Sequence, residues 1–138
     1  MLRNQLSPTA AVIIPAYNAA RYISECLDSL RKQTYSNFVA IIVDDGSSDS
    51  TADIVKRIAT EDPRFILIEK PNGGVSSARN AGLDWVSGNI PSTEFLGFVD
   101  ADDYVSTDYL KIFVRALSDS SLDYAVCAFT PFTKFGPV

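Results

Sequence analysis

Phe95-Leu96-Gly97-Phe98-Val99-Asp100-Ala101-Asp102-Asp103 is an apolar run that empties into three carboxylates. A run of that length and composition reads as a buried strand. Like charges at its end repel one another unless a cation sits between them, which marks the acids as divalent-metal ligands. A second run, Phe38-Val39-Ala40-Ile41-Ile42-Val43, ends the same way in Asp44-Asp45.

Working outward, strand and helix patterns alternate. Ala11-Val12-Ile13-Ile14 is a β-branched run stopped by Pro15, and Ile23, Cys26, Leu27 and Leu30 fall on one helical face. Asp49 and Ser50 announce a second helix, with Asp53 placed for a capping box and Ile54, Val55 and Ile58 on its apolar face. Phe65-Ile66-Leu67-Ile68 reads as a third strand. Gly73-Gly74 opens a helix carrying Ala78, Ala81, Gly82, Trp85 and Val86. After Phe95–Val99 comes a helix with Leu110, Ile112, Phe113, Ala116 and Leu117, then a fifth expected strand, Tyr124–Phe129.

Continuous apolar strands separated by helices predict a Rossmann-like three-layer α/β sandwich, a mostly parallel sheet with helices on both faces. Right-handed crossovers put every strand's carboxyl end on one edge, where open α/β sheets bind ligands. Residues 1–10 read as a polar tail and 11–138 as the α/β domain. Ser87–Thr93 reads as a surface link between the third helix and the fourth strand.

Composition narrows the chemistry. The net charge of −5 argues against nucleic acid as a partner. With no histidine, serine or cysteine triads with a His base and His-zinc sites are excluded. Any metal is therefore held by hard oxygens, which favours Mn²⁺ or Mg²⁺. Cys26 and Cys127 lack metal-ligand spacing and read as reduced core residues of a cytoplasmic protein. Trp85 and the phenylalanines also read as core.

Each polar strand end has its own reading. Asp100 and Asp102 share a side if the strand continues, with Asp103 turned away to cap the next helix or meet an acceptor. In Asp44-Asp45-Gly46-Ser47-Ser48-Asp49, a carboxylate can accept from a nucleobase N–H or ribose hydroxyls, while Asp49 and Thr51 serve the turn. The Gly73-Gly74 turn offers backbone N–H groups and a helix dipole to an anion, with Arg79 one turn inside. Tyr17, after Pro15-Ala16, can stack on a base.

Taken together, Val12-Ile13-Ile14-Pro15-Ala16-Tyr17-Asn18, Val43-Asp44-Asp45-Gly46-Ser47-Ser48-Asp49-Ser50-Thr51, Asn72-Gly73-Gly74 with Ala78-Arg79-Asn80-Ala81-Gly82, and Asp100-Ala101-Asp102-Asp103 resemble the family 2 glycosyltransferases. The resemblance covers about Ala11 to Phe129 and implies the GT-A fold. It implies a nucleotide-diphosphate sugar donor, a UDP-sugar first, and transfer with inversion to a sugar or lipid-linked acceptor in polysaccharide biosynthesis. By that analogy Pro15, Tyr17 and Asp45 hold base and ribose, Asp44 belongs to the same nucleotide-sugar site, and Gly74 and Arg79 lie near the nucleotide. Asp100 and Asp102 match the DXD motif, with Asp102 as the direct metal ligand. No residue matches the family's general base, so the chain is expected to be the donor-binding half, with the acceptor half absent. A non-catalytic nucleotide-sugar-binding module is the alternative. A phosphoacceptor receiver domain is disfavoured, because its acidic pair would follow the first strand. Peripheral association with the inner face of a membrane and homo-oligomer formation are both compatible with this reading.

Overall fold

The computed structural model describes residues 8–119 and 121–129, together with the backbone of 132–133 and 136–137. Strands β1 (Ala10–Ala16), β2 (Phe38–Asp44), β3 (Phe65–Glu69) and β4 (Phe95–Phe98) form one sheet. Helices α1 (Ile23–Arg31), α2 (Thr51–Glu61), α3 (Val75–Asn89) and α4 (Tyr109–Leu117) alternate with them. The sheet order is β3-β2-β1-β4 and every pairing within it is parallel. A separate antiparallel pair, β5 (Phe132–Thr133) with β6 (Gly136–Pro137), follows α4.

The alternation of side chains along β1 explains why the run is apolar throughout. Ala10, Val12, Ile14 and Ala16 face a core shared with α1, α2 and α4. Ala11 and Ile13 face the opposite core, filled by Ala78, Val86 and Ile90. A strand buried on both faces has no polar side. Fully burying each Ile, Leu or Val stabilises the fold by about 1.5–3 kcal/mol, and β1 and β2 supply most of those side chains. Helix α3 comes very close to the sheet at Gly82, where an added Cβ would lie 2.6 Å from Ile13 Cγ2.

The predicted α/β sandwich with helices on both faces is the architecture found. Order reverses between β1 and β4, since β1 leads to β2 on one side and the chain returns to the other for β4. That reversal opens a crevice at the carboxyl ends of the two strands.

Several expectations fail. Tyr124–Phe129 is not a strand; Tyr124, Val126 and Phe129 are largely exposed, Val126 at 86%. Apolar continuity signals a tendency to be buried, but a strand also needs a ladder partner, and none pairs with this run among the described residues. Cys127 is exposed rather than core, for the same reason, as is Phe129; Phe98 is exposed too, although it pairs with Ile13, because β4 is an edge strand. Ser87, Gly88 and Asn89 are at the surface as expected, but as the last turn of α3 rather than a link, because Val86 and Ile90 anchor the helix end in the core. Ala10 already lies in β1, one residue inside the expected tail. Nor does Ser50 cap α2 through its side chain. Asp49 does that work, accepting from Thr51 N (3.0 Å) and Ala20 N (3.1 Å). Among the described residues no helix is long and apolar enough to cross a membrane.

Candidate functional site

Four loops meet at the carboxyl edge of the sheet. Pro15 is buried near the end of β1, and the loop that follows carries Tyr17, which is 56% exposed. Next comes Asn18, whose positive φ of 48° is tolerated because a short amide suits that region. Its Oδ1 accepts from Ser48 N at 2.8 Å, and its own N–H donates to Ser47 Oγ at 2.9 Å. The loops after β1 and β2 are thus tied together beside the crevice.

Asp44 ends β2, Asp45 follows it, and both are buried. Ser47 N donates to Asp44 Oδ1 at 3.3 Å, which tightens the turn. Asp45, 3% exposed, is held by three protein donors. Lys70 Nζ lies 2.8 Å from its Oδ1, Gly73 N 3.0 Å from the same oxygen, and Gly74 N 2.8 Å from Oδ2. Its own carbonyl accepts from Asn72 Nδ2 at 3.1 Å. The Lys70 ammonium, helped by the two glycine N–H groups, holds the Asp45 carboxyl below the usual carboxylate range despite its burial.

This arrangement corrects the reading of the Gly-rich turn. The N–H groups of Gly73 and Gly74 at the start of α3 do face an anion, but that anion is Asp45. Two glycines make the approach feasible. Gly74 has φ +94°, and a Cβ on Gly46 (φ +79°) would sit 2.8 Å from Asn72 N.

The fourth loop follows β4. Asp103 N donates to Asp100 O at 3.0 Å, closing a turn with Ala101 buried beneath it. The chain therefore bends at Asp100 instead of continuing as a strand, and Asp103 does not turn away. One oxygen from each of Asp100, Asp102 and Asp103 lies within 4.8 Å of the others. Asp103 also caps no helix, since Asp108 stands at the N-cap of α4. Partial burial, then the Asp102 and Asp100 charges, raises the Asp103 carboxyl above its ordinary range. Cys26, on α1, lies under the turn and donates its S–H to Asp100 O at 3.5 Å. Burial and the three acids push its thiol up to about 12, so it is an inert packing group.

Arg79, on α3, reaches the acids from the other side. Its NH2 lies 3.4 Å from Asp100 Oδ1, and its guanidinium carbon sits 6.0 Å from the centre of the Phe98 ring. Its Nε is buried and has no hydrogen-bond partner among the described residues. The three carboxylates offer only hard oxygens and converge within 4.8 Å, so the residues present fit Mn²⁺ or Mg²⁺.

The structure brings Asp100, Asp102, Asp103 and Arg79 together on one side of the crevice and Asp45 with Gly74 on the other. Sequence reasoning assigns no role to Lys70, and it quotes Asn18 and Asn72 in the motifs without one of their own. Lys70 carries a positional signal, because it directly follows β3 as Asp45 directly follows β2.

Residues 11–135 match the sequence pattern described as Glycosyl transferase family 2. The glycosyltransferase GlyA of Streptococcus pneumoniae is 38% identical over 123 residues, covering 89% of this chain and 17% of that protein. The uncharacterized glycosyltransferase EpsJ of Bacillus subtilis is 38% identical over 122 residues, covering 88% of this chain and 34% of its own length. Among solved structures, S. aureus TarS in complex with UDP-GlcNAc has a TM-score of 0.73 at 28% identity, covering 91% of this chain and 38% of that one. The mannosyltransferase PcManGT from Pyrobaculum calidifontis, in complex with GDP-Man and Mn²⁺, has a TM-score of 0.71 at 32% identity, covering 81% and 33%. The chain spans well under half the length of each.

Proposed function

The chain belongs to glycosyl transferase family 2, and from that premise we propose that it binds the nucleotide-diphosphate sugar donor of a metal-dependent, inverting glycosyltransferase. The observation that carries this reading is the convergence of Asp100, Asp102 and Asp103 beside Arg79 at the point where strand order reverses. Asp102 and Asp100 hold the cation, and Asp103 joins them. A bound Mn²⁺ or Mg²⁺ supplies positive charge against a diphosphate leaving group.

The other residues orient the donor. Arg79 pairs with Asp100 through one nitrogen and keeps an unsatisfied Nε, so a phosphate oxygen offers it a better set of partners. Tyr17 is exposed at the crevice and stacks on the base. Pro15 stiffens the strand end beneath it, and Asp44 holds the turn that carries Asp45. Three donors already occupy the Asp45 carboxylate. About four acceptor positions exist on such a group, and the one left on Oδ2 takes an N–H from the base. Gly74, at φ +94°, supplies the backbone turn that aims its N–H at Asp45 Oδ2.

A UDP-sugar is the first candidate for the donor, supported by the UDP-GlcNAc complex of TarS; the GDP-Man complex of PcManGT makes GDP the second probe. The acceptor is a sugar or a lipid-linked sugar, in polysaccharide assembly at the cytoplasmic side of a membrane. Calorimetric titration of the chain with UDP and GDP, with Mn²⁺ or with chelator, tests the reading. At least one diphosphate binds, about tenfold or more tightly with the metal. Absence of binding by both, in the presence of Mn²⁺, would overturn it.

A further inference from the structure

Lys70 is the first residue after β3, and its ammonium is committed to the interior of the loop. Its Nζ contacts Asp45 Oδ1 at 2.8 Å and Pro71 O at 2.7 Å, and its side chain is only 20% exposed. Among the described residues it is the one cation paired with Asp45. A buried carboxylate without a counter-charge tends to take up a proton. Once neutral, it presents an O–H donor and can no longer be relied on to accept from a ligand. Lys70 also fills Oδ1 together with Gly73 N, so the free acceptor position is on Oδ2. A Cβ on Gly73 would lie 2.9 Å from Lys70 Nζ, so ammonium, loop and carboxylate are packed as one unit.

We propose that Lys70 is a positioning residue for the nucleotide base, acting through Asp45 by keeping it an oriented acceptor for a base that carries a ring N–H. Uracil and guanine carry that N–H. Cytosine presents a lone pair at the equivalent ring position and gains nothing from a carboxylate. This inference rests on the donor-binding reading above and adds a residue that discriminates between donors without touching them.

The test is calorimetry on the full chain with Mn²⁺, comparing UDP with CDP. Unsubstituted protein prefers UDP. Lys70→Met weakens UDP about tenfold and leaves CDP within about threefold, so the preference collapses. Lys70→Arg restores most of it, because a guanidinium also pairs with a carboxylate. If the Lys70→Met chain does not fold, Lys70→Gln, which keeps a donor but removes the charge, shows the same loss of preference. Equal weakening of UDP and CDP would make Lys70 a loop support only and overturn the inference, as would an unchanged preference. Equal affinity of the unsubstituted protein for UDP and CDP would overturn this inference alone. Failure of the unsubstituted protein to bind any diphosphate would remove the donor-binding reading and this one with it.

Discussion

Asp45 shows how much one side chain can organise. It directly follows a strand, accepts three hydrogen bonds and fixes the start of α3. Its carboxyl is held low in the folded state chiefly by Lys70. A depressed folded value means that the group's contribution to stability is fully present above the unfolded value, about 3.9, and is lost as pH falls through the folded one. Asp45→Asn is therefore expected to lower unfolding free energy at pH 7 by about 1–3 kcal/mol, the cost of mispairing buried donors. In urea titrations that deficit stays constant from neutral pH to about pH 5 and shrinks only below the ordinary carboxylate range. A deficit that vanished by pH 5 would contradict the Lys70–Asp45 pairing. The sequence singles out Asp45 as a candidate acid at a strand end. It could not show that the acid's first partners are protein groups, because those lie more than twenty residues away in the chain.

Among the elements, α3 was the least legible in its detail. Its small residues, Ala78 and Gly82, pointed to close packing, and the structure supplies the reason: Gly82 sits directly on Ile13 of β1. Gly82→Ala is expected to destabilise the chain by about 1–3 kcal/mol through overpacking, measured by chemical denaturation. Combined with Ile13→Ala, which opens a cavity at the same spot, the loss should be smaller than the sum of the two singles. Strict additivity would mean that the two positions are not in contact. The strands β1 to β4 were legible because burial on both faces writes an unbroken apolar run. The same signal misled at Tyr124–Phe129, where apolar residues occur without a strand partner among the described residues. Periodicity reports which side chains favour burial; pairing depends on what lies alongside.

At the scale of the molecule, the order β3-β2-β1-β4 places the acid-bearing end of β4 beside the end of β1 and opposite the Asp45 loop. Acids at strand ends were visible in the sequence because a parallel sheet collects those ends on one edge. The bend that turns Asp103 back toward Asp100 and Asp102 was not, since it depends on a backbone hydrogen bond from Asp103 to Asp100 and on Ala101 being buried over α1. What the fold assembles is a cluster of three carboxylates flanked by Arg79, across the crevice from the Asp45 loop, and the proposed function assigns the first to a cation and the second to a base. The most direct test of that account is the affinity of UDP measured with and without Mn²⁺ in the unsubstituted chain and in Asp102→Ala. The account predicts that Mn²⁺ strengthens binding about tenfold or more in the former and has little effect in the latter. An undiminished response to Mn²⁺ in Asp102→Ala would contradict it.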